Sequence, residues 1–243
     1  MPKLVEEGIK VDMVLTDLPY GTTACSWDSV IPLARLWDNY KSLVQSCKAI
    51  VLFSSQPFTS ILVNSNLGWF KYSWVWKKNR ATGHVHAKNK PMKIHEDICV
   101  FSSGNTLHVG QSDNRMPYFP QGLQELPKGT RRRTRNDSGD NTVLGKRRSH
   151  RNTEWTHTNY PTSILEFPIE MNSNRFHPTQ KPLDLCQYLI STYTSPGELV
   201  LDNAMGGGNI GVAARRLGRD FIGIELEKNY YLTAVDRISK EQQ

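Results

Sequence analysis

The chain has 243 residues, 38% of them hydrophobic, which suits one α/β domain with an insertion or two small domains around a real core. Thirty Lys and Arg against 23 Asp and Glu leave a net charge of +7, which favours an anionic partner and puts nucleic acid ahead of a membrane surface. No stretch approaches the roughly 20 apolar residues that span a bilayer, and residues 1–10 carry acids where a signal peptide would be apolar.

The first predicted element is a buried strand, Val11-Asp12-Met13-Val14-Leu15-Thr16, which stops at Asp17-Leu18-Pro19-Tyr20. Ligands of open α/β sheets sit beyond the carboxyl ends of such strands. Asp17 can accept a hydrogen bond from an amino group, and Pro19 fixes the backbone so that the Leu18 carbonyl can accept another. Tyr20 offers a ring face for stacking. The plainer alternative is a strand followed by a Pro-initiated turn with a satisfied Asp. A polar loop over 21–28 follows. Leu33, Leu36, Trp37, Tyr40, Leu43, Val44 and Cys47 then fall at helical spacing. A second strand is expected over 49–53, a short helix opened by Pro57 and running through Leu62, a third strand over 70–76 and a fourth over 97–101. The basic segment 77–93, with Gly83, His84 and His86, reads as a loop near the strand ends.

Beyond Ser102 periodicity fades and Gly, Pro, Asn and Arg become frequent until about Asn174. A structureless loop of that length is unusual inside a domain unless it has a task. Arg131, Arg132, Arg133, Arg135, Lys146, Arg147 and Arg148 suit phosphate binding, and Trp155 adds a stacking surface; a disordered, solvated loop is the alternative. Order returns at His177-Pro178-Thr179-Gln180-Lys181-Pro182. Pro182 starts a helix with Leu183, Cys186, Leu189, Ile190 and Tyr193 on its apolar face. A strand over 198–202, a glycine turn, a helix over 210–217, a strand over 220–225 and a last helix over 228–239 complete a βαβ unit. Cys25, Cys47, Cys99 and Cys186 form no CxxC pair, so neither zinc nor a disulfide framework is indicated, and a reducing, intracellular setting is expected.

Gly206-x-Gly208-x-x-Gly211 matches the dinucleotide fingerprint, but glycine-rich turns of this kind serve several ligands. Asp202 beside it is a poor neighbour for a pyrophosphate and suits a ligand with an ammonium and no phosphate, such as S-adenosylmethionine. Glu225 is placed to hold ribose hydroxyls.

Asp17-Leu18-Pro19-Tyr20, then His177-Pro178-Thr179-Gln180-Lys181-Pro182, then Asp202 through Gly208 occur together in that order. This combination resembles the β-class amino-methyltransferases of DNA, small members of which are common in phages and mobile elements. Ser54-Ser55-Gln56-Pro57-Phe58 and Trp74 through Asp97 look like family segments too. The resemblance implies a Rossmann-like, circularly permuted α/β fold. Its sheet is mostly parallel, with helices on both faces and an irregular insertion. It assigns 1–102 to the catalytic half, 103–174 to target recognition and 175–243 to the cofactor-binding half. Asp17, Leu18, Pro19 and Tyr20 match the catalytic tetrapeptide. Asp17, Asp202, Asn203, Ala204, Gly206, Gly208 and Glu225 match cofactor-binding positions, and Thr179 and Lys181 match the segment over the cofactor's methionine end. Leu18 stands where the family usually has a first proline, and 203–208 replaces the usual Pro-Phe-containing loop. Family members often carry an extra strand upstream, so one sheet edge is expected to be missing or built otherwise.

The implied reaction is methyl transfer from S-adenosyl-L-methionine to adenine N6 of a flipped base in double-stranded DNA, without a metal. Cytosine N4 is the alternative acceptor, since an acid at position 17 goes mostly with adenine in the resembling family and Ser mostly with cytosine. RNA or a protein amide, an NAD oxidoreductase and a DNA-binding relative without catalysis are the rival readings. A cytoplasmic setting in a bacterial cell or a phage-infected host, a homodimer and a cognate restriction endonuclease belong to the same set of implied properties.

Overall fold

The structure is a computed structural model that describes residues 1–21, 29–106, 113–130, 155–170 and 176–241. Its strands in chain order are β1 (Val11–Asp17), β2 (Val44–Ser54), β3 (Phe70–Thr82), β4 (Lys93–Phe101), β5 (Gln124–Glu125), β6 (His157–Thr158), β7 (Ile164–Glu166), β8 (Leu199–Asp202) and β9 (Asp220–Gly223). Seven of them form one sheet in the order β7-β3-β4-β2-β1-β8-β9. β4 runs antiparallel to both its neighbours, and the other pairings are parallel.

The pleat sends successive side chains to opposite faces. Met13 and Leu15 of β1, with Val51 and Phe53 of β2, enter one hydrophobic cluster; Val14, Ile50 and Leu52 enter the other. Helices α2 (Leu33–Leu43) and α3 (Phe58–Ser65) cover the second face through Leu36, Trp37, Tyr40, Phe58 and Leu62. The short α1 (Pro2–Glu6) adds Leu4 and Val5 at that cluster's margin. Helices α4 (Leu183–Tyr193) and α5 (Asn209–Arg216) cover the first face through Leu185, Leu189, Ile210 and Ala213. The sheet is thus mostly parallel with helices on both sides, as expected. The last helix, α6 (Lys228–Ser239), buries Ala234.

Three expectations are corrected. The helical face does not run on to Cys47: α2 ends at Leu43, β-branched Val44 opens β2, and Cys47 has φ +64, which no helix tolerates. The 77–93 segment is mostly not a loop. β3 continues to Thr82 and β4 starts at Lys93, with a 3-10 turn at His84–His86 between them. This part of the hairpin is exposed and meets again at Thr82–Lys93 only after a break in register, so no apolar pattern announced it. The 103–174 segment is not uniformly irregular either: Ile164–Glu166 pairs with Val75–Lys77 and becomes a sheet edge, and Met116 is buried in the core.

The chain divides into a larger unit, residues 1–119 with 163–243, and a smaller one, residues 120–162. Within the smaller unit β5 and β6 pair antiparallel, and the Asn159 side-chain amide donates to the Gly122 carbonyl at 2.7 Å. Among the described residues no helix is long and apolar enough to cross a membrane.

Candidate active site

β1 and β8 are parallel neighbours, so their carboxyl ends, Asp17 and Asp202, open on the same side of the sheet. A cavity of about 610 Å³ lies there, a size usual for small-molecule sites. Asp17, Leu18, Pro19 and Tyr20 line it from β1. Thr179 and Lys181 line it from the segment before α4, Asp202, Asn203 and Ala204 from the end of β8, and Glu225 from beyond β9.

Lys181 is the electrostatic centre of this pocket. Pro182 opens α4, which fixes Lys181 one residue before the helix cap, and only 7% of its side chain is exposed. A buried ammonium needs carboxylate partners. It has two: Asp17 Oδ2 and Glu96 Oε2, each 2.9 Å from Nζ. Glu96 also receives Lys78 Nζ at 2.5 Å. Burial lowers the Lys181 pKa, but the two carboxylates outweigh it and hold the ammonium charged, well above the ordinary range. Glu96 is buried too, yet its two lysines hold its carboxyl down to about 2. Asp17 is raised, first by burial and then by the Glu96 charge, with Lys181 opposing. Its other oxygen accepts the Tyr20 hydroxyl at 2.6 Å, and the Tyr20 ring stacks on Phe58 at 5.3 Å. The Leu18 side chain is buried in the core, so the tetrapeptide is anchored from beneath.

The neighbouring strand ends, β8 and β9, add further acids. Burial raises Asp202 to about 7, against the opposing hydrogen bond from the Ala204 N–H. Glu225 accepts the N–H groups of Gly206 at 2.7 Å and Glu227 at 2.9 Å, which ties the glycine turn to the chain leaving β9. Asn203 is held by the Tyr40 hydroxyl of α2 at 2.6 Å. Arg237 of α6 donates to the Gly207 carbonyl and to Asn209 Oδ1, and the Asn209 amide donates to the Lys181 carbonyl at 2.9 Å. The turn and the buried lysine are therefore joined through Asn209.

Gly206 and Gly208 do not line the cavity; Gly207 does. A Cβ on Gly208 would stand 2.8 Å from that of Ala234, and φ there is +81. This glycine lets α6 approach the turn, and Gly206 lies against the His177 ring. Arg131, Arg132, Arg133, Arg135, Lys146, Arg147 and Arg148 lie outside the described residues.

A family model described as DNA methylase matches residues 11–236, nearly the whole chain. The chain belongs to this DNA methylase family. Among curated relatives, the type II methyltransferase M2.DpnII of Streptococcus pneumoniae is 46% identical over 67 residues, 28% of this chain and 25% of that protein. The putative methylase YubD of Escherichia coli strain K12 is 42% identical over 71 residues, 29% of this chain and 31% of that protein. The matches thus span between a quarter and a third of those relatives' length. Among solved structures, the M1.HpyAVI–SAM complex has a TM-score of 0.62 at 24% identity and covers 97% of this chain and 93% of that one. The PvuII DNA methyltransferase, titled cytosine-N4-specific, has 0.63 at 14%, covering 96% and 82%. These two likenesses are of fold: an α/β sheet shared with methyltransferases.

No motif in the sequence gives Lys78, Glu96, Asn209 or Arg237 a role. Glu96 stood in a segment noted only for its resemblance. The available signal was physical: a lysine beside a helix-starting proline and an acid at the head of the apolar run 98–101 are both candidates for burial, and each then needs the other.

Proposed function

We propose that this protein transfers a methyl group from S-adenosyl-L-methionine to N6 of adenine in double-stranded DNA. The observation that carries the reading is Asp17. Its carboxylate is fixed by Tyr20 and Lys181 at the end of β1, in the lining of a cavity that Asp202 and Glu225 also line.

The residues present fit that cofactor. The ends of β8 and β9 offer acceptors: Asp202 suits an ammonium, and Glu225 keeps lone pairs for ribose hydroxyls beside the two N–H groups it already accepts. The cofactor supplies an electrophilic methyl on a sulfonium, so this chain needs to position the acceptor rather than activate a leaving group. Asp17 and the Leu18 carbonyl accept the two amino hydrogens of the base, which turns the nitrogen lone pair towards the methyl. The Asp17 carboxylate stabilises the positive charge that builds on nitrogen as the bond forms. Tyr20 and Lys181 keep that carboxylate from rotating, and alignment contributes much of the rate. The amino group is paired inside a duplex, so the base must be turned out of the helix.

On this reading residues 1–102 serve the acceptor base, 175–243 the cofactor, and 103–174, with its arginines, the recognition of the target. The choice of adenine rests on the acid at position 17. A carboxylate accepts more strongly than a hydroxyl and does not donate. The test is to incubate the protein with S-adenosylmethionine and unmethylated duplex DNA, digest to nucleosides and identify them by mass spectrometry. N6-methyladenine is expected. Only N4-methylcytosine overturns the base; no methylated base on any DNA overturns the function.

A further inference from the structure

The hairpin of β3 and β4 gives Lys78 and Glu96 to the buried ion network, but its tip has no part in the chemistry above and is one-sided in charge. Residues 77–95 contain six Lys and Arg and no Asp or Glu. The ladder register shows where the hairpin goes. The last residue of β2, Ser54, pairs with Asp97, whereas β3 and β4 pair further out at Lys77 with His95 and, across a break in register, at Thr82 with Lys93. On the other flank β7 follows β3 only as far as Lys77. From residue 78 to 93 the hairpin therefore runs past both neighbouring strands, on the side where Asp17 ends β1. Lys78, Thr82 and Lys93 line the cavity, so the hairpin stands at its mouth.

Lys93 lines the cavity, and the other five cations divide into two sets. Lys77 and Lys78 are spent on Glu166 and Glu96. Arg80, Lys88 and Lys90 are exposed and make no ion pair among the described residues. Between them the 3-10 turn places Val85, 90% exposed, flanked by His84 and His86. An ordered hairpin that carries uncompensated cations beside a binding cavity attracts a polyanion that reaches that cavity. We propose that this hairpin is a second DNA-backbone grip, located on the larger unit and separate from the arginine-rich stretch 131–148. Arg80, Lys88 and Lys90 each take a phosphate of the duplex that flanks the extruded base. The proposal rests on the DNA-methyltransferase reading and adds to it the surface that holds the duplex at the pocket mouth.

The probe is a fluorescent 20-base-pair duplex, titrated at several salt concentrations without cofactor. The protein compared with wild type carries Arg80→Ala, Lys88→Ala and Lys90→Ala. Each lost phosphate contact lowers the slope of log affinity against log salt by about 0.9. The triple variant should therefore show a slope smaller by about 2 to 3 and at least tenfold weaker binding at low salt. Calorimetric affinity for S-adenosylmethionine should stay unchanged, which also reports that the variant is folded. Wild-type affinity and slope in the folded triple variant overturn the hairpin assignment alone. Tighter wild-type binding to a structured RNA of equal length, or no salt-dependent binding of duplex DNA by the wild type, overturns the functional reading and this assignment with it. If the triple variant does not fold, Lys88→Glu and Lys90→Glu, each alone at the exposed end of the hairpin, give the same test with one contact removed and one repulsion added.

Discussion

Replacing Glu96 by Gln tests the buried ion network directly. Glu96 touches both Lys181 and Lys78, at 2.9 and 2.5 Å, and its side chain is 12% exposed. Its carboxyl is held down from an ordinary 4.5 to about 2. A folded-state pKa below the unfolded one stabilises the protein above pH 4.5, and that stability is lost as the pH falls towards 2. Integrated over this window, the shift is worth about 3 kcal/mol at pH 7 and about 1 kcal/mol at pH 3. Gln mimics the protonated acid, so the variant should lose roughly those amounts relative to wild type at each pH. Urea unfolding of both proteins at pH 7 and pH 3 measures the difference. A cost equal at the two pH values would refute the reasoning, since it would mean that the charge on Glu96 contributes nothing and only its shape matters.

Asp17→Ala should cut single-turnover methyl transfer by at least about a hundredfold, with the fold intact by circular dichroism. Near wild-type turnover would remove Asp17 from the mechanism. Glu225→Gln should weaken S-adenosylmethionine binding by roughly 1 to 3 kcal/mol in calorimetry, the range for a hydrogen bond to a charged group. Gly208→Ala should lower thermal stability by about 1 to 3 kcal/mol, because φ is +81 and the new Cβ meets Ala234; an unchanged melting temperature would show that α6 yields freely. Asp202 titrates near 7, and an ammonium prefers the ionised form. Cofactor affinity should therefore rise between pH 6 and pH 8 in wild type, and Asp202→Asn should remove that rise.

Much of the scaffold was legible because it is encoded locally. β1 ends where its apolar run meets Pro19, and α6 starts and stops where periodicity says it should. The errors share one cause, which is that pairing and burial are decided by distant chain. Val44 continues a helical stripe on paper, but it opens a strand because β1 lies beside it. Three residues, Ile164–Glu166, are too few to show a period, and the open edge of β3 recruits them. The pocket was half legible. Asp17, Lys181, Asp202 and Glu225 were named, but the ion triad joins positions 17, 96 and 181, and no local pattern couples those. The glycine fingerprint was legible as a motif, whereas the structure gives Gly208 a packing role towards α6 instead of a place on the cavity wall.

The boundary of the smaller unit has an evolutionary consequence. Chain leaves the larger unit after Phe119, whose N–H donates to the Thr192 carbonyl, and returns at Ser163, whose carbonyl accepts from Val75. These two moorings are neighbours, because Trp74 donates to the Tyr193 hydroxyl at 2.7 Å. A segment that departs and rejoins at adjacent points can lengthen, shorten or be replaced with little penalty, since closure entropy grows only with the logarithm of length. Residues 120–162 therefore join the larger unit through two adjacent seams. Exchange of the chain between these seams leaves the strand ends that carry Asp17 and Asp202 untouched, because both lie in the larger unit.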